Sequence, residues 1–173
     1  MIDLKTYLDY QHSVNEFEKH YAEIVEFNKA LIEKYPWIAI RECDFDTDKY
    51  YLPADYDYAF TWFDDIPYGW ALAFGMDLLD EIQEDLVKND FVDYFSPVQI
   101  KEKYAQLRIY TTGIPQESKI YDIIRKYEDI SEKTCITCGK QAKYLTTGWI
   151  MPICENCKND HPEWGSAFNE IKE

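Results

Sequence analysis

Four cysteines stand out as the residues best placed to do chemistry: Cys135-x-x-Cys138, fifteen intervening residues, then Cys154-x-x-Cys157. Each Cys-x-x-Cys turn holds two thiolates close enough to share one tetrahedral ion, and fifteen residues suffice for a short hairpin that brings the turns together. Gly139 directly after the first pair permits the positive backbone angle that such knuckles use. The spacing predicts a structural Zn2+ site on Cys135, Cys138, Cys154 and Cys157, closed to substrate because all four positions are filled by protein. His161 lies four residues beyond the last ligand and is expected to be a bystander. Cys43 is left over, and its expected place is in the core as a small apolar residue.

Other chemistry is thinly represented. No glycine-rich phosphate loop, Gly-x-Ser-x-Gly elbow or His-Glu-x-x-His helix occurs, and His12, His20 and His161 adjoin no nucleophile motif. Asp44-x-Asp46-x-Asp48 resembles the start of a calcium loop, but Lys49 stands where the turn glycine belongs and Asp55 where a bidentate Glu is expected. Asp64-Asp65, or Asp44, Asp46 and Asp48, could position magnesium for a carboxylate-based, metal-dependent hydrolase. In so acidic a chain such pairs arise by chance, so a non-enzymatic role is expected.

The charge is concentrated. Residues 1–99 carry a net −15 and residues 100–173 are neutral overall. A surface of that sign repels phosphates and attracts basic surfaces, so residues 1–99 are expected to bind a basic protein and not nucleic acid. Between 42 and 65 carboxylates alternate with aromatic rings, and the candidate partner surface is Asp44, Asp46, Asp48, Tyr50, Tyr51, Asp55, Asp57, Asp64 and Asp65. The competing reading of that segment is an edge hairpin whose aromatic side packs on the core. The ribbon and its approaches carry Lys133, Lys140, Lys143 and Lys158 with Tyr144 and Trp149, a mild form of the basic-aromatic pattern of nucleic-acid binders.

The elements that must position these residues read as follows. The first 35 residues are helical, with Val14, Phe17, Tyr21, Ile24, Val25, Leu31, Ile32 and Tyr35 at three- and four-residue spacing. Ser13 and Glu16 form a capping-box pattern that starts a long helix after a break at Gln11-His12, and Pro36 ends it. Tyr56, Tyr58, Phe60 and Trp62 at period two predict a strand over 55–62. Residues 74–88 predict a helix with Leu78, Leu79, Ile82 and Leu86 inward and Asp77, Asp80, Glu81, Glu84 and Asp85 outward. Val98–Thr111 reads as a strand, Thr112-Gly113-Ile114-Pro115 as a turn, and 116–131 as a helix with Ile120, Ile123, Ile124 and Tyr127 inward.

The 46% apolar share excludes disorder at this charge. No run approaches the roughly 20 apolar residues of a membrane span, and Met1-Ile2-Asp3-Leu4-Lys5 lacks the pattern of a signal peptide, so a cytoplasmic protein is expected. The expected fold is α+β, with helices packed on a small antiparallel sheet, an acidic domain over 1–131 and a zinc-ribbon segment over 132–173.

Lys34-Tyr35-Pro36-Trp37, Asp55-Tyr56-Asp57-Tyr58, Asp65-Ile66-Pro67-x-Gly69-Trp70-x-x-Ala73-Phe74-Gly75, Gln99-Ile100-Lys101-Glu102-Lys103-Tyr104 and Leu107-Arg108-x-Tyr110, followed by the four cysteines, resemble an uncharacterised phage and prophage protein family. Family members usually carry Gly where this chain has Ala105. The resemblance implies a mobile-element origin and, with the acidic charge, an inhibitor of a host nucleic-acid-handling or defence system, similar to anti-CRISPR proteins or DNA mimics. The alternative class is a nucleic-acid-associated accessory protein acting through its ribbon.

Overall fold

Alternating helical and strand periods build an α+β fold, and the computed structural model describes it for residues 1–114, 116–164 and 167–171. Asp3 caps α1 (Leu4–Gln11) by accepting the Thr6 N–H at 2.7 Å. Ser13 caps α2 (Val14–Lys19), accepting from the Glu16 N–H as its spacing predicts. The long helix expected from Ser13 is broken once more at His20, and α3 (Tyr21–Lys34) follows. The His20 ring stacks on Tyr10, centroids 3.9 Å apart, and its nitrogens lie 3.3 Å from Glu16 and Glu23. This break turns the apolar stripe, so Ile24, Leu31 and Ile32 are buried while Val14 is 78% exposed.

A one-turn helix at Pro36–Ile38 sets Trp37 and Ile38 in the core, with the Trp37 Nε1–H donating to Gln83 at 2.9 Å. The hairpin of β1 (Glu42–Asp44) and β2 (Lys49–Tyr51) follows. Cys43 lies on β1 opposite Tyr50 and is half-buried, not fully buried as expected.

The strand expected over 55–62 does not form. Short polar side chains there satisfy the backbone locally and compete with a ladder: Asp57 accepts from the Ala59 N–H at 2.9 Å, and Asp64 with Thr61 makes a capping box for the single turn at Trp62–Asp65. Tyr58, with φ of 62°, breaks the alternation. Phe60 consequently lies in the open, stacked on Phe17 at 5.2 Å.

The next helix is longer than its periodicity predicts. It runs as α4 (Tyr68–Trp70), a π-helical turn (Ala71–Gly75) and α5 (Met76–Lys88). Leu78, Leu79, Ile82 and Leu86 are buried as expected, but so is Asp85. Its carboxylate accepts from the Ser118 hydroxyl at 2.5 Å and the Lys119 N–H at 3.2 Å, which ties α5 to the start of α6 (Ile120–Ser131). That helix begins four residues later than expected, and Pro115 of the predicted turn lies outside the described residues.

The single strand expected at 98–111 is a hairpin of β3 (Ser96–Lys103) and β4 (Gln106–Thr112). Its two-residue turn places Tyr104 and Ala105 at φ of 54° and 67°, the geometry of a type I′ turn. Asn-Gly is the usual signature there, and Tyr-Ala carries no such signal. One core joins α1, α3, α5, α6 and this hairpin, and a second small cluster surrounds the cysteines. Among the described residues no helix is long and apolar enough to cross a membrane.

Candidate metal centre

The sequence after α6 folds into two knuckles joined by a hairpin. In the first knuckle the Gly139 N–H donates to Cys135 O at 2.9 Å and the Cys135 N–H to Lys140 O at 2.7 Å, with Gly139 at φ of 75°. The second knuckle starts α7 (Glu155–Asp160), where Cys154 Sγ accepts from the Cys157 N–H at 3.5 Å. Between them β5 (Tyr144–Thr146) pairs with β6 (Pro152–Ile153) and with β7 (Phe168–Glu170). The Ile136 N–H donates to Pro152 O at 2.9 Å, fastening one knuckle to the strand that leads into the other.

The Sγ atoms of Cys135, Cys138, Cys154 and Cys157 all lie within 4.8 Å of one another, with Cys138 and Cys154 at 3.6 Å. Four sulfurs at about 2.3 Å from a tetrahedral ion stand about 3.8 Å apart, so the donor set fits one such ion. Cys135, Cys154 and Cys157 are buried. In the bare protein burial pushes the Cys138 and Cys157 thiols up. Burial also opposes ionisation of Cys154, but hydrogen bonds from the Cys157 N–H and the neighbouring thiols hold it down at about 7. A bound divalent cation supplies the missing compensation for four crowded thiolates. His161 stands apart, 2.7 Å from Glu163 and stacked on Trp164.

The first knuckle is docked on α4, just ahead of the π-helical turn. The Gly69 N–H donates to Ile136 O and the Trp70 Nε1–H to Thr134 O, both at 2.8 Å. A Cβ on Gly69 would lie 2.3 Å from Cys135 O, and one on Gly139 would lie 2.7 Å from Gly69 O. Two glycines thus let two backbones touch, and Cys135 is held against the main core.

The acidic candidates divide. Asp44 accepts from the Asp46 N–H and the Thr47 hydroxyl, both at 2.9 Å, which holds its carboxyl below the ordinary range and shapes the β1–β2 turn. Asp46, Asp48, Asp55 and Asp57 are exposed, and among the described residues none has an ion-pair partner. Tyr50 is half-buried under the Arg41 guanidinium, and the exposed Tyr51 donates to Glu42 at 2.8 Å. Asp65 is exposed.

Asp64 is a correction to the predicted surface: its carboxyl points inward. Oδ2 accepts from the Thr61 N–H at 2.7 Å, and Oδ1 lies 2.5 Å from the Tyr7 hydroxyl, which is itself 2.7 Å from Asn28 Oδ1. Tyr7 has one proton for two acceptors. A protonated Asp64 resolves this by donating to Tyr7, which then donates to Asn28. Burial pushes the Asp64 carboxyl up to about 6, against the bonds from Tyr7 and Thr61 that favour its ionised form. The two carboxyls thus differ in setting, Asp64 being engaged by Tyr7 and Thr61 while Asp65 is exposed. Among the described residues the four cysteines are the one close-set group of three or more potential ligands.

The alternation of 42–65 concealed one residue, Phe45, which is 90% exposed at the tip of the β1–β2 hairpin between Asp44 and Asp46. In the ribbon, Lys158 sits over the rings of Tyr144 and Phe168 at 3.7 and 5.2 Å, and Trp149 is 73% exposed. Comparison with protein-family models, curated proteins and solved structures yields no match for this chain.

Proposed function

We propose that this chain is a zinc-stapled, acidic protein-binding module of mobile-element origin that inhibits a host nucleic-acid-handling or defence enzyme by occupying its basic surface. The ion is Zn2+, since four thiolates in tetrahedral array suit a borderline-soft ion with no redox chemistry of its own. It is structural: it fastens a segment whose own apolar cluster is small, and so its binding energy becomes folding energy.

The observation that carries the reading is the tip of the β1–β2 hairpin. A bare aromatic ring, Phe45, is flanked by carboxylates that lack cationic partners among the described residues. An aromatic ring buried on binding supplies affinity, and the charge around it supplies encounter rate and partner choice. Asp55 and Asp57 extend the same charge along the following loop.

The test is affinity capture from host-cell lysate at low and high salt, comparing the natural protein with Phe45→Ala and with Asp46→Asn/Asp48→Asn, alongside metal analysis. Capture of a nucleic-acid-binding enzyme by the natural protein, its release by salt and its loss with either variant support the reading. Equal capture by all three proteins overturns it.

A further inference from the structure

The β3–β4 hairpin buries one face and leaves the other in solvent. Ile100, Leu107 and Ile109 point into the core. By alternation the outer face is built from the cross-strand pairs Gln99 with Tyr110, Lys101 with Arg108, and Lys103 with Gln106. This face carries three cations and, from its own strands, no carboxylate. Lys101 Nζ lies 5.6 Å from the Tyr110 ring centre and Lys103 Nζ 5.7 Å from that of Tyr104. Arg108 is also 3.1 Å from Glu128 of α6.

At the tip Tyr104 is 78% exposed, although its φ of 54° is one that an L-residue adopts at a cost. Asn would hold that turn at lower energy. A strained residue that presents a bare ring is a pointer to function. Facing it, the turn between β5 and β6 presents Trp149. The two tips enclose an open cleft of about 330 Å3 lined by Glu102, Lys103, Tyr104, Gly148, Trp149 and Ile150. Its one carboxylate, Glu102, is engaged by the Ala105 N–H at 2.8 Å.

Flat rings interleaved with cations fit a chain that alternates flat bases with phosphates. We propose that the outer face of β3–β4, together with the Tyr104–Trp149 cleft, binds single-stranded nucleic acid, with bases stacked on Tyr104, Tyr110 and Trp149 and phosphates on Lys101, Lys103 and Arg108. An acidic polypeptide would engage the cations and leave the rings idle. The acidic residues 1–99 oppose long-range attraction, so binding depends on contacts within about 10 Å and weakens steeply with salt. The surface is separate from the β1–β2 hairpin and stands independently of the inhibitor reading.

The test is fluorescence anisotropy of a labelled oligothymidylate of about twelve nucleotides, in low and moderate salt, using the zinc-loaded full chain. Saturable binding is expected, weakened at least about fivefold by Tyr104→Asn and about tenfold or more by Lys101→Glu/Lys103→Glu, and unchanged by Phe45→Ala. Tyr104→Asn should also raise the thermal midpoint, so its lost binding is not lost folding. Three results would overturn the proposal: no saturable binding at low salt, affinity untouched by these variants while Lys140→Glu/Lys143→Glu abolishes it, or polyglutamate binding as tightly as the oligonucleotide.

Discussion

Replacing Gly69 by alanine sets two effects of opposite sign against each other. In a helix considered alone the change should stabilise by about 1 kcal/mol, because glycine is the poorer helix former. Here the added Cβ would lie 2.3 Å from Cys135 O and 2.6 Å from both the carbonyl carbon and oxygen of Ile136. Those are backbone atoms of a knuckle held by its own hydrogen bonds, and cannot swing aside like the end of a flexible side chain. Overpacking of this kind costs about 1–3 kcal/mol. Displacing the knuckle also lengthens the bonds from the Gly69 N–H to Ile136 O and from Trp70 Nε1 to Thr134 O, each worth about 1 kcal/mol. The net expectation is a loss of about 2–4 kcal/mol, which for a chain of this size lowers the thermal midpoint by about 5–15 °C. Urea unfolding with zinc present, followed by competition with a chromophoric chelator, measures both the stability and any weakening of the metal site. A Gly69→Ala protein as stable as the natural one, with unchanged zinc affinity, would refute the docked knuckle and leave helix propensity as the governing effect.

Three further outcomes are expected. The Asp64 carboxyl has a folded-state pKa near 6 against an ordinary 3.8, so the folded protein holds a proton that the unfolded chain has released between these values. Stability on this account is greatest below about pH 4 and falls by up to about 3 kcal/mol as pH rises through 6; the difference between natural protein and Asp64→Asn, by urea unfolding at successive pH values, should change by that amount, and parallel curves would exclude it. Chelation, or Cys138→Ser, should release the metal and open residues 132–171 to protease while the core of α1, α3, α5 and β3–β4 stays protected, as limited proteolysis with mass spectrometry would reveal; simultaneous digestion of both parts would show the ribbon to be integral to the main fold. Tyr104→Asn removes an unfavourable left-handed tyrosine with little burial to lose, so unfolding should require about 1 kcal/mol more, and a destabilised variant would contradict the type I′ geometry.

What the sequence by itself determined is what short-range spacing encodes. The four-cysteine cluster was readable because two Cys-x-x-Cys turns carry their geometry within each turn. The buried stripe of α5 and the start of α2 at Ser13 were readable for the same reason, since periodicity and capping are local. The α+β class and the bias of carboxylates toward residues 1–99 also needed no coordinates.

Only the tertiary structure decided the rest. Asp85 looked outward on its helix, yet the Ser118 hydroxyl and Lys119 N–H reach it from a segment more than thirty residues away. Asp64 looked like part of an acidic surface until Tyr7 and Asn28, on distant helices, enclosed it. The predicted aromatic strand at 55–62 was lost because Asp57, Thr61 and Asp64 bind nearby backbone and outcompete a ladder. The glycine at 69 carries no local sign of its purpose: its missing side chain matters because Cys135, sixty-six positions further on, rests against it. Contacts at such separation depend on how the whole chain closes, and neither period nor spacing records them.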